Sequence, residues 1–171
     1  CQFCAFRVGP NNPKAYFMTP AQVTEKAIAA KKEGLTEVCI QGGINSKVDT
    51  YYQESLIRAV KEATDPLGGI LVHAFSPMDI TVGAENAGLD VKSAIKILKE
   101  AGLDTMPGTA AEILVDDLRK DLCSNKVTVQ EWIDIIKYAH RSGIKSTSTM
   151  MYGHIETAED RAKHLKILMD I

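Results

Sequence analysis

The chain has 171 residues, of which 45% are hydrophobic and 25% charged, and its formal charge at pH 7 is -2. These values are typical of a soluble globular domain and exclude a disordered, collagen-like or disulfide-scaffold protein. The near-neutral charge gives no electrostatic reason to expect nucleic acid or an anionic membrane as a partner. No apolar run reaches the roughly 18 residues of a membrane span and no secretory signal is recognisable, so we expect a cytoplasmic protein.

Both ends of the sequence are unusual for a complete domain. Residue 1 is a cysteine rather than a methionine, and a helical pattern continues up to Ile171. We therefore expect residues 1–171 to form one domain that is truncated at both ends.

Helices that end at a glycine and lead into a short apolar strand recur along the chain. In three segments the helix ends at Gly34, Gly102 or Gly143, and a fourth, degraded copy runs from Tyr52 through Gly69. Glycine most readily adopts the left-handed conformation that ends a helix. The period of roughly 30 to 45 residues matches a βα unit.

Helix starts can be predicted from capping residues. Thr19, Thr128 and Thr157 each stand where they can cap a helix, and Gln22 and Glu131 complete capping boxes with the first two. The predicted buried stripes of these helices are Val23, Ala27 and Ala30; Trp132, Ile136 and Ala139; and Ala158, Ala162, Leu165 and Met169.

Short apolar or β-branched runs at residues 38–40, 70–75 and 146–151 predict strands that are buried on both faces. Strands that alternate with helices, without hairpin signals, indicate a parallel sheet, either doubly wound or part of a barrel. Four successive strand ends carry small or polar residues, which favours a barrel over a sheet with one switch point. The predicted fold is therefore α/β, a partial (β/α) TIM-type barrel. The strand-end clusters are Gln41 to Gly43, His73 to Ser76, Pro107 to Thr109, and Tyr152 to His154.

Two of the four cysteines, Cys1 and Cys4, form a Cys-x-x-Cys pair. Two such thiolates could hold zinc or an iron-sulfur cluster, or act as a redox pair. Zinc would need a second pair, and a cluster would need a further thiolate from outside the chain. Cys39 and Cys123 are isolated and are expected to be small core residues.

The string CQFCAF resembles the last two cysteines of the Cys-x3-Cys-x2-Cys loop of the radical S-adenosylmethionine (SAM) superfamily. The resemblance implies a 4Fe-4S cluster as one cofactor and SAM as the other. It implies that Cys1 and Cys4 bind the metal, together with a third cysteine four positions before Cys1. It also implies that Phe3 lies beside the adenine of SAM.

Two further motifs support the same resemblance. Gly42 and Gly43 match the glycine pair that receives the methionine amino group of SAM, although Ile44 stands where an acidic residue often follows. Gly153 and Glu156 match a later motif whose strand packs near the adenine. The resemblance thus implies that all four matching residues contribute to cofactor binding.

Within the superfamily, the strings IQGGIN, VHAFSPMDI, LKEAGLDTMPGTAAEILVDDLRK and TSTMMYGHIET resemble the FO synthase subunit 2 family. This implies transfer of the 4-hydroxybenzyl group of L-tyrosine to 5-amino-6-(D-ribitylamino)uracil in deazaflavin biosynthesis. The implied partners are a one-electron reductant and a companion FO synthase subunit. Two alternatives stay open: the aminofutalosine synthase and futalosine cyclase of menaquinone biosynthesis, and a non-catalytic metal-binding fragment. The futalosine relatives tend to have Pro-Gly-Gly-Gly-Ala-Glu at residues 107–112, where this chain has PGTAAE.

The candidate catalytic residues are His73 at a strand end, His154 in a strand-to-helix turn, and Glu112 at a predicted helix start. Tyr152 and Ser76 are candidate substrate contacts. No role at the site is expected for three other charged or titratable residues, the solvated His140 and His164 and the surface residue Arg119.

Overall fold

The computed structural model describes residues 3–9 and 12–171. None of the helices in this part of the chain is long and apolar enough to cross a bilayer. In chain order the elements are α1 (Pro20–Lys32), β1 (Glu37–Ile40), α2 (Thr50–Thr64), β2 (Leu71–Ala74), α3 (Pro77–Ala87), α4 (Val91–Glu100), β3 (Thr105–Met106), α5 (Asp116–Cys123), α6 (Val129–Arg141), β4 (Lys145–Ser146) and α7 (Ala158–Met169), with a 3-10 turn at Asp65–Leu67.

The strands form one four-stranded sheet in the order β1-β2-β3-β4, and every pair is parallel. The register places Cys39 opposite His73, His73 opposite Thr105, and Thr105 opposite Lys145. Because each strand pairs with the one before it, the order never reverses and the sheet has no switch point of the doubly wound kind. The α/β class and the partial TIM-type barrel are confirmed.

The two faces of the sheet are covered differently. Val72, Ala74 and Met106 are completely buried in a core with the helices, and Val38 and Ile40 pack against the same core. Alternate residues of a strand point to opposite faces. The other face therefore carries the in-register row of Cys39, His73, Thr105 and Lys145. The prediction that β1 is buried on both faces is wrong, because its residues are alternately exposed and partly buried.

The predicted helix ends are confirmed. Thr19 and Thr128 cap α1 and α6 in complete capping boxes, and Thr157 caps α7. Gly34 and Gly143, directly after the caps of α1 and α6, have φ angles of 85° and 78°. These features depend on residues within one turn of the helix end, so local sequence is enough to predict them.

The buried stripe of α6 is confirmed, since Trp132, Ile136 and Ala139 are all buried. The stripe predicted for α7 is wrong, because Leu165 is 48% exposed and Met169 86% exposed. The face of α7 that packs on the protein is instead formed by His164, Ile167 and Leu168, and Ile171, just after the helix, packs on the same core. These residues also have helical spacing. They include the polar residue His164, which a prediction based on apolar residues alone leaves out.

The strand predicted at residues 146–151 is also largely wrong, because β4 ends at Ser146. The Thr147 amide still donates to the carbonyl of Met106. Beyond it, the Thr147 hydroxyl accepts from the Gly108 amide at 3.1 Å, and the Thr149 hydroxyl donates to the Gly108 carbonyl at 3.2 Å. Side-chain hydrogen bonds thus replace the regular β-ladder. Residues 147–149 therefore run beside the connection that follows β3 without forming a strand.

Candidate active site

The predicted site residues lie along one edge of the sheet. The carboxyl ends of parallel strands all face the same edge, which is the active face of barrels of this type. Four connections leave that edge: residues 41–49 after β1, 75–76 after β2, 107–115 after β3, and 147–157 after β4. The candidates that lie in these connections or directly before them are Gly42, Gly43, His73, Ser76, Glu112, Tyr152, Gly153, His154 and Glu156.

Cys4 and Phe3 lie in the described part of the amino-terminal segment, and both are exposed. The predicted ligand Cys1 lies outside the described residues. Further along, the ring of Phe17 stacks on Tyr52 of α2 with centroids 4.6 Å apart, and the Tyr52 hydroxyl donates to the Met18 carbonyl at 2.5 Å. The chain just before α1 is therefore fixed to α2.

Glu112 and Phe3 both contact one lysine that the sequence analysis missed. The ammonium of Lys126, between α5 and α6, donates to Oε1 of Glu112 and lies 5.9 Å from the centroid of the Phe3 ring. The Glu112 and Lys126 side chains are only 16% and 15% exposed. Nothing in the sequence near Lys126 distinguishes it from a surface lysine.

Asp79, in the first turn of α3, adjoins the Gly42 turn. Its Oδ2 accepts hydrogen bonds from the amide and hydroxyl of Ser76, at 2.9 and 2.6 Å, in a capping box. Its Oδ1 lies 3.6 Å from the position that a Cβ on Gly42 would take. Burial raises the pKa of Asp79, against the lowering effects of the Ser76 bonds, the charge of Lys126 and the Gly42 amide. Asp79 thus adjoins the turn of Gly42, whereas Lys126 contacts Phe3 and Glu112.

Ser76 was a candidate substrate contact, and the structure gives its hydroxyl a capping role. It is buried and engaged with Asp79. Tyr152, the other candidate contact, is 70% exposed.

His73 lies on the sheet face that the helices do not cover. Its Nδ1 shares a hydrogen bond of 2.7 Å with the hydroxyl of Thr105 on the neighbouring strand. Cys39, opposite His73 in the register, was expected in the core, but it is exposed and its Sγ accepts from Nε2 of Gln41 at 3.2 Å. The core prediction for Cys39 is wrong because the residue points away from the helices.

Glu156 organises the turn before α7. Its carboxylate, only 1% exposed, accepts from the amides of Gly153 at 2.7 Å and His154 at 2.9 Å, and it pairs with Arg161 at 2.9 Å. These two amide bonds are the main reason why its pKa is lowered to about 2. Glu156 is therefore ionised at neutral pH and engaged with its own turn.

Both ring nitrogens of His154 are engaged with nearby backbone. Its Nε2 donates to the Met151 carbonyl at 3.0 Å, and its Nδ1 accepts from the Ile155 amide at 2.8 Å. A carbonyl can only accept, so the proton is on Nε2 in the neutral ring. Proton transfer through this ring would require one of these bonds to break.

The surface prediction for Arg119 is wrong, because this residue of α5 is only 4% exposed. Its guanidinium lies under the β3 connection, in which Ala110 and Glu112 have left-handed φ angles of 62° and 49°. The loop that carries Glu112 therefore rests on a buried cation. The guanidinium donates to main-chain carbonyls of Ala110, Ala111, Ile113 and Val127.

The two histidines predicted to be solvated have different environments. His140 is exposed, as predicted, and its Nε2 bonds the Ser146 hydroxyl at 2.9 Å. The prediction for His164 is wrong: it is completely buried, and its Nδ1 accepts from the Leu114 amide at 3.0 Å. Cys123 is buried as expected, and burial raises the pKa of its thiol.

Comparison with known families agrees with the α/β fold and the partial TIM-type barrel. The profile of the Radical SAM superfamily matches residues 1–168. This chain belongs to the radical SAM superfamily.

Three curated relatives of this radical SAM chain carry the name 5-amino-6-(D-ribitylamino)uracil--L-tyrosine 4-hydroxyphenyl transferase. The relative from Methanocaldococcus jannaschii is 58% identical over 171 residues, which is all of this chain and 48% of the relative. Those from Methanococcus vannielii and Methanococcus aeolicus are 54% and 55% identical over the same residues, 48% and 47% of their lengths. The chain spans about half the length of the curated relatives that it matches.

The donor chemistry of this radical SAM chain fits an iron-sulfur cluster at its amino-terminal end. Cys4 is a free, exposed thiol, and thiolates are the usual ligands of such clusters. Within the described residues no group of three or more His, Cys, Asp or Glu side chains could hold a metal ion. Cys4 would therefore need ligands from outside that part of the chain, such as Cys1.

Proposed function

We propose that this chain is the cluster-binding and SAM-binding part of an enzyme that joins the 4-hydroxybenzyl group of L-tyrosine to 5-amino-6-(D-ribitylamino)uracil. The observation that carries the proposal is 58% identity, over the whole chain, to a relative named for this transfer. Because the chain spans about half of that relative, the activity is proposed for a longer polypeptide that includes it.

The cofactors follow from the family and the donor set. Cys1, Cys4 and a third cysteine preceding the chain hold a 4Fe-4S cluster, and SAM lies against Phe3 and the turn of Gly42 and Gly43. When bound, the cluster and SAM supply a 5′-deoxyadenosyl radical that can abstract hydrogen from tyrosine. The geometry of Gly43 supports this position for SAM, since no atom lies within 4 Å of the place where its Cβ would be.

The chain's own residues bind and orient the reactants. His73 is 9% exposed, is held by Thr105 and lies on the helix-free face of the sheet; we assign its other ring nitrogen to a hydrogen bond with a substrate. Glu112 supplies a fixed carboxylate on the same side as Phe3. His154, Gly153 and Glu156 keep the β4 connection in one shape, so that it can close the site against water.

The remaining partners are proposals of the same kind. We propose L-tyrosine and the ribityl-pyrimidine as substrates, a one-electron reductant as the electron source, and a companion FO synthase subunit as the partner protein. The names of the relatives support the two substrates. The reductant, the companion subunit and a cytoplasmic location stay predictions.

The test uses the longer polypeptide, reconstituted anaerobically with iron and sulfide. We expect visible charge-transfer absorbance from the cluster. After reduction with SAM present, we expect 5′-deoxyadenosine only when tyrosine is added, and coupled product only when both substrates are added. Turnover with a futalosine-type substrate instead would assign the protein to menaquinone synthesis. Absence of any cluster would leave a metal-binding module without this activity.

The cysteines provide an internal control. Cys4→Ala should abolish cluster binding, whereas Cys123→Ala should retain it, because Cys123 is buried among other residues. If both variants lose the cluster equally, the assignment of Cys4 as a ligand is wrong.

A further inference from the structure

The ion pair of Lys126 and Glu112 is much less exposed to solvent than a neighbouring lysine pair. In the pair of Lys120 and Asp117 on α5, the side chains are 74% and 89% exposed, whereas those of Lys126 and Glu112 are 15% and 16% exposed. Exposed pairs contribute little because water and salt screen them. The side chains of a pair that is largely removed from water are held more strongly in one geometry. Removing one partner of such a pair therefore destabilises the protein more than removing a partner of an exposed pair.

The backbone that carries Lys126 is also fixed. The Lys126 amide donates to the Cys123 carbonyl at 2.9 Å, and the carbonyl of the next residue, Val127, accepts from buried Arg119 at 2.5 Å. The Val129 amide donates to Oδ1 of Asp116 at 3.0 Å. The ammonium of Lys126 therefore extends from an anchored loop and is itself held at its far end by Glu112.

Three segments of the chain meet at this ammonium. It binds the Glu112 carboxylate of the β3 connection and lies over the face of Phe3, next to Cys4. A cation within about 6 Å of a ring centroid is attracted by the electrons of the ring. Its charge also acts on Asp79, whose Oδ1 adjoins the Gly42 turn.

We propose that Lys126 is a positioning residue that holds the Phe3 ring and the Glu112 carboxylate in one arrangement, and so joins the segment of Cys4 to the β3 connection. The inference rests on the proposed function, in which Phe3 and Glu112 form part of the site for SAM and substrate. Lys126 acts through these two residues rather than through the reacting atoms. Its removal leaves a carboxylate without its partner and a ring without its cation.

The test compares Lys126→Met, which keeps the length of the side chain, with Lys126→Arg, which keeps the charge. The matched control is Lys120→Met, which removes an exposed lysine from the adjacent helix. In the reconstituted longer polypeptide, without reductant, we measure SAM binding by equilibrium dialysis. Loss of a charge-assisted hydrogen bond at the site predicts a rise in Kd of about 10- to 100-fold for Lys126→Met. Lys126→Arg should stay within about threefold of the parent protein, and Lys120→Met should not change the Kd.

A second readout does not depend on SAM or on turnover. Hydrogen exchange of residues 3–9 and 107–115 should speed up together in Lys126→Met and remain unchanged in Lys120→Met. If Lys126→Met lowers the melting temperature while both the Kd and these exchange rates match the parent protein, the residue is only structural and the proposal is overturned. If the parent protein binds no SAM, the proposed function fails, and the exchange comparison still decides the role of Lys126.

A double variant covers the case in which Lys126→Met does not fold. Glu112→Gln combined with Lys126→Met removes both charges, so neither is left without a partner. The full cycle, completed by Glu112→Gln alone, should give strongly non-additive changes in exchange or in Kd if the pair acts as a unit. Additive changes would overturn the proposal. If Lys126→Met cannot be purified, the double variant alone decides: hydrogen exchange and SAM affinity equal to those of the parent protein would also overturn the proposal.

Discussion

The Arg119 guanidinium donates a hydrogen bond of 3.1 Å to the carbonyl of Ala110, a residue whose φ angle of 62° is left-handed. The other hydrogen bonds of this guanidinium also go to main-chain carbonyls. A buried cation that binds carbonyl dipoles fixes the path of the backbone rather than the position of another side chain. The strained loop that carries Glu112 is therefore held in shape by a residue of the following helix.

Arg119→Met should destabilise the protein by about 3 to 5 kcal/mol, because several buried carbonyls lose their donor at a cost of about 1 to 3 kcal/mol each. Urea unfolding measures the effect. The control is Arg58→Met, which breaks a pair with Glu54 in which Arg58 is half exposed, and it should cost about 0.5 kcal/mol or less. Similar losses in the two variants would mean that the Arg119 hydrogen bonds do not hold the loop.

Gly108→Ala should be among the most damaging single changes in the chain. A Cβ at this position would lie 1.8 Å from the Thr147 carbonyl oxygen, so the connections after β3 and β4 would have to separate. We expect a loss of about 3 kcal/mol or more, in the range of overpacked or backbone-strained sites. Thermal unfolding tests this, and a melting temperature within a degree of the parent protein would contradict the close approach.

Gly43→Ala is the matched comparison and should separate stability from cofactor binding. Its Cβ would meet no atom within 4 Å, and its backbone is not left-handed, so the melting temperature should hardly change. If SAM lies against this turn, the added methyl group should lower SAM affinity about tenfold or more. Unchanged affinity would remove Gly43 from the proposed site.

His164 should make stability depend on pH below neutrality. Burial lowers its pKa below the ordinary value of 6.5, so the unfolded chain takes up a proton at a higher pH than the folded protein does. The contribution of the neutral ring is complete above pH 6.5 and is lost as the pH falls, by up to about 1.4 kcal/mol per pH unit. Urea midpoints between pH 5 and 8 should fall less on acidification for His164→Gln than for the parent protein. A parent-like fall for His164→Gln would contradict this role of the buried ring.

Glu156 should act in a lower pH window. Its pKa is lowered from 4.5 to about 2, chiefly by the amide hydrogen bonds from Gly153 and His154. The contribution of ionised Glu156 to the free energy of unfolding is present above pH 4.5 and is lost as the pH falls toward 2. Glu156→Gln should therefore be less stable than the parent protein at pH 7, and the difference should shrink between pH 4.5 and 2. A constant difference across this range would show that ionisation of Glu156 does not support the turn.

What the sequence predicts well is set by short-range chemistry. The caps at Thr19, Thr128 and Thr157 involve partners three residues away, and the glycines after the helices need only their own conformational freedom. Alternation of such helices with short strands was enough to predict the parallel sheet. The expectation that the candidate site lies at the strand ends followed from the sheet.

What the sequence could not predict depends on long-range packing. Lys126 and Phe3 meet only because the barrel brings the first segment against the connection between α5 and α6. In the sequence, Arg119 resembles a surface charge. Its burial follows from the main-chain carbonyls that surround it in the folded structure. Cys39 was assigned to the core from its apolar neighbours and His164 to solvent from its mid-helix position. The face of the strand and the rotation of α7 decide their burial instead.

The unreversed strand order also bears on how the protein folds. Each strand pairs only with strands that are adjacent to it in sequence, so no strand has to insert between two that are already paired. Each connection to be closed during sheet formation is one crossover that contains one or two helices, which keeps the entropy cost of each step small. We expect the sheet to grow in the direction of synthesis, with the Gly42 turn formed before the segment that contains Lys126 leaves the ribosome.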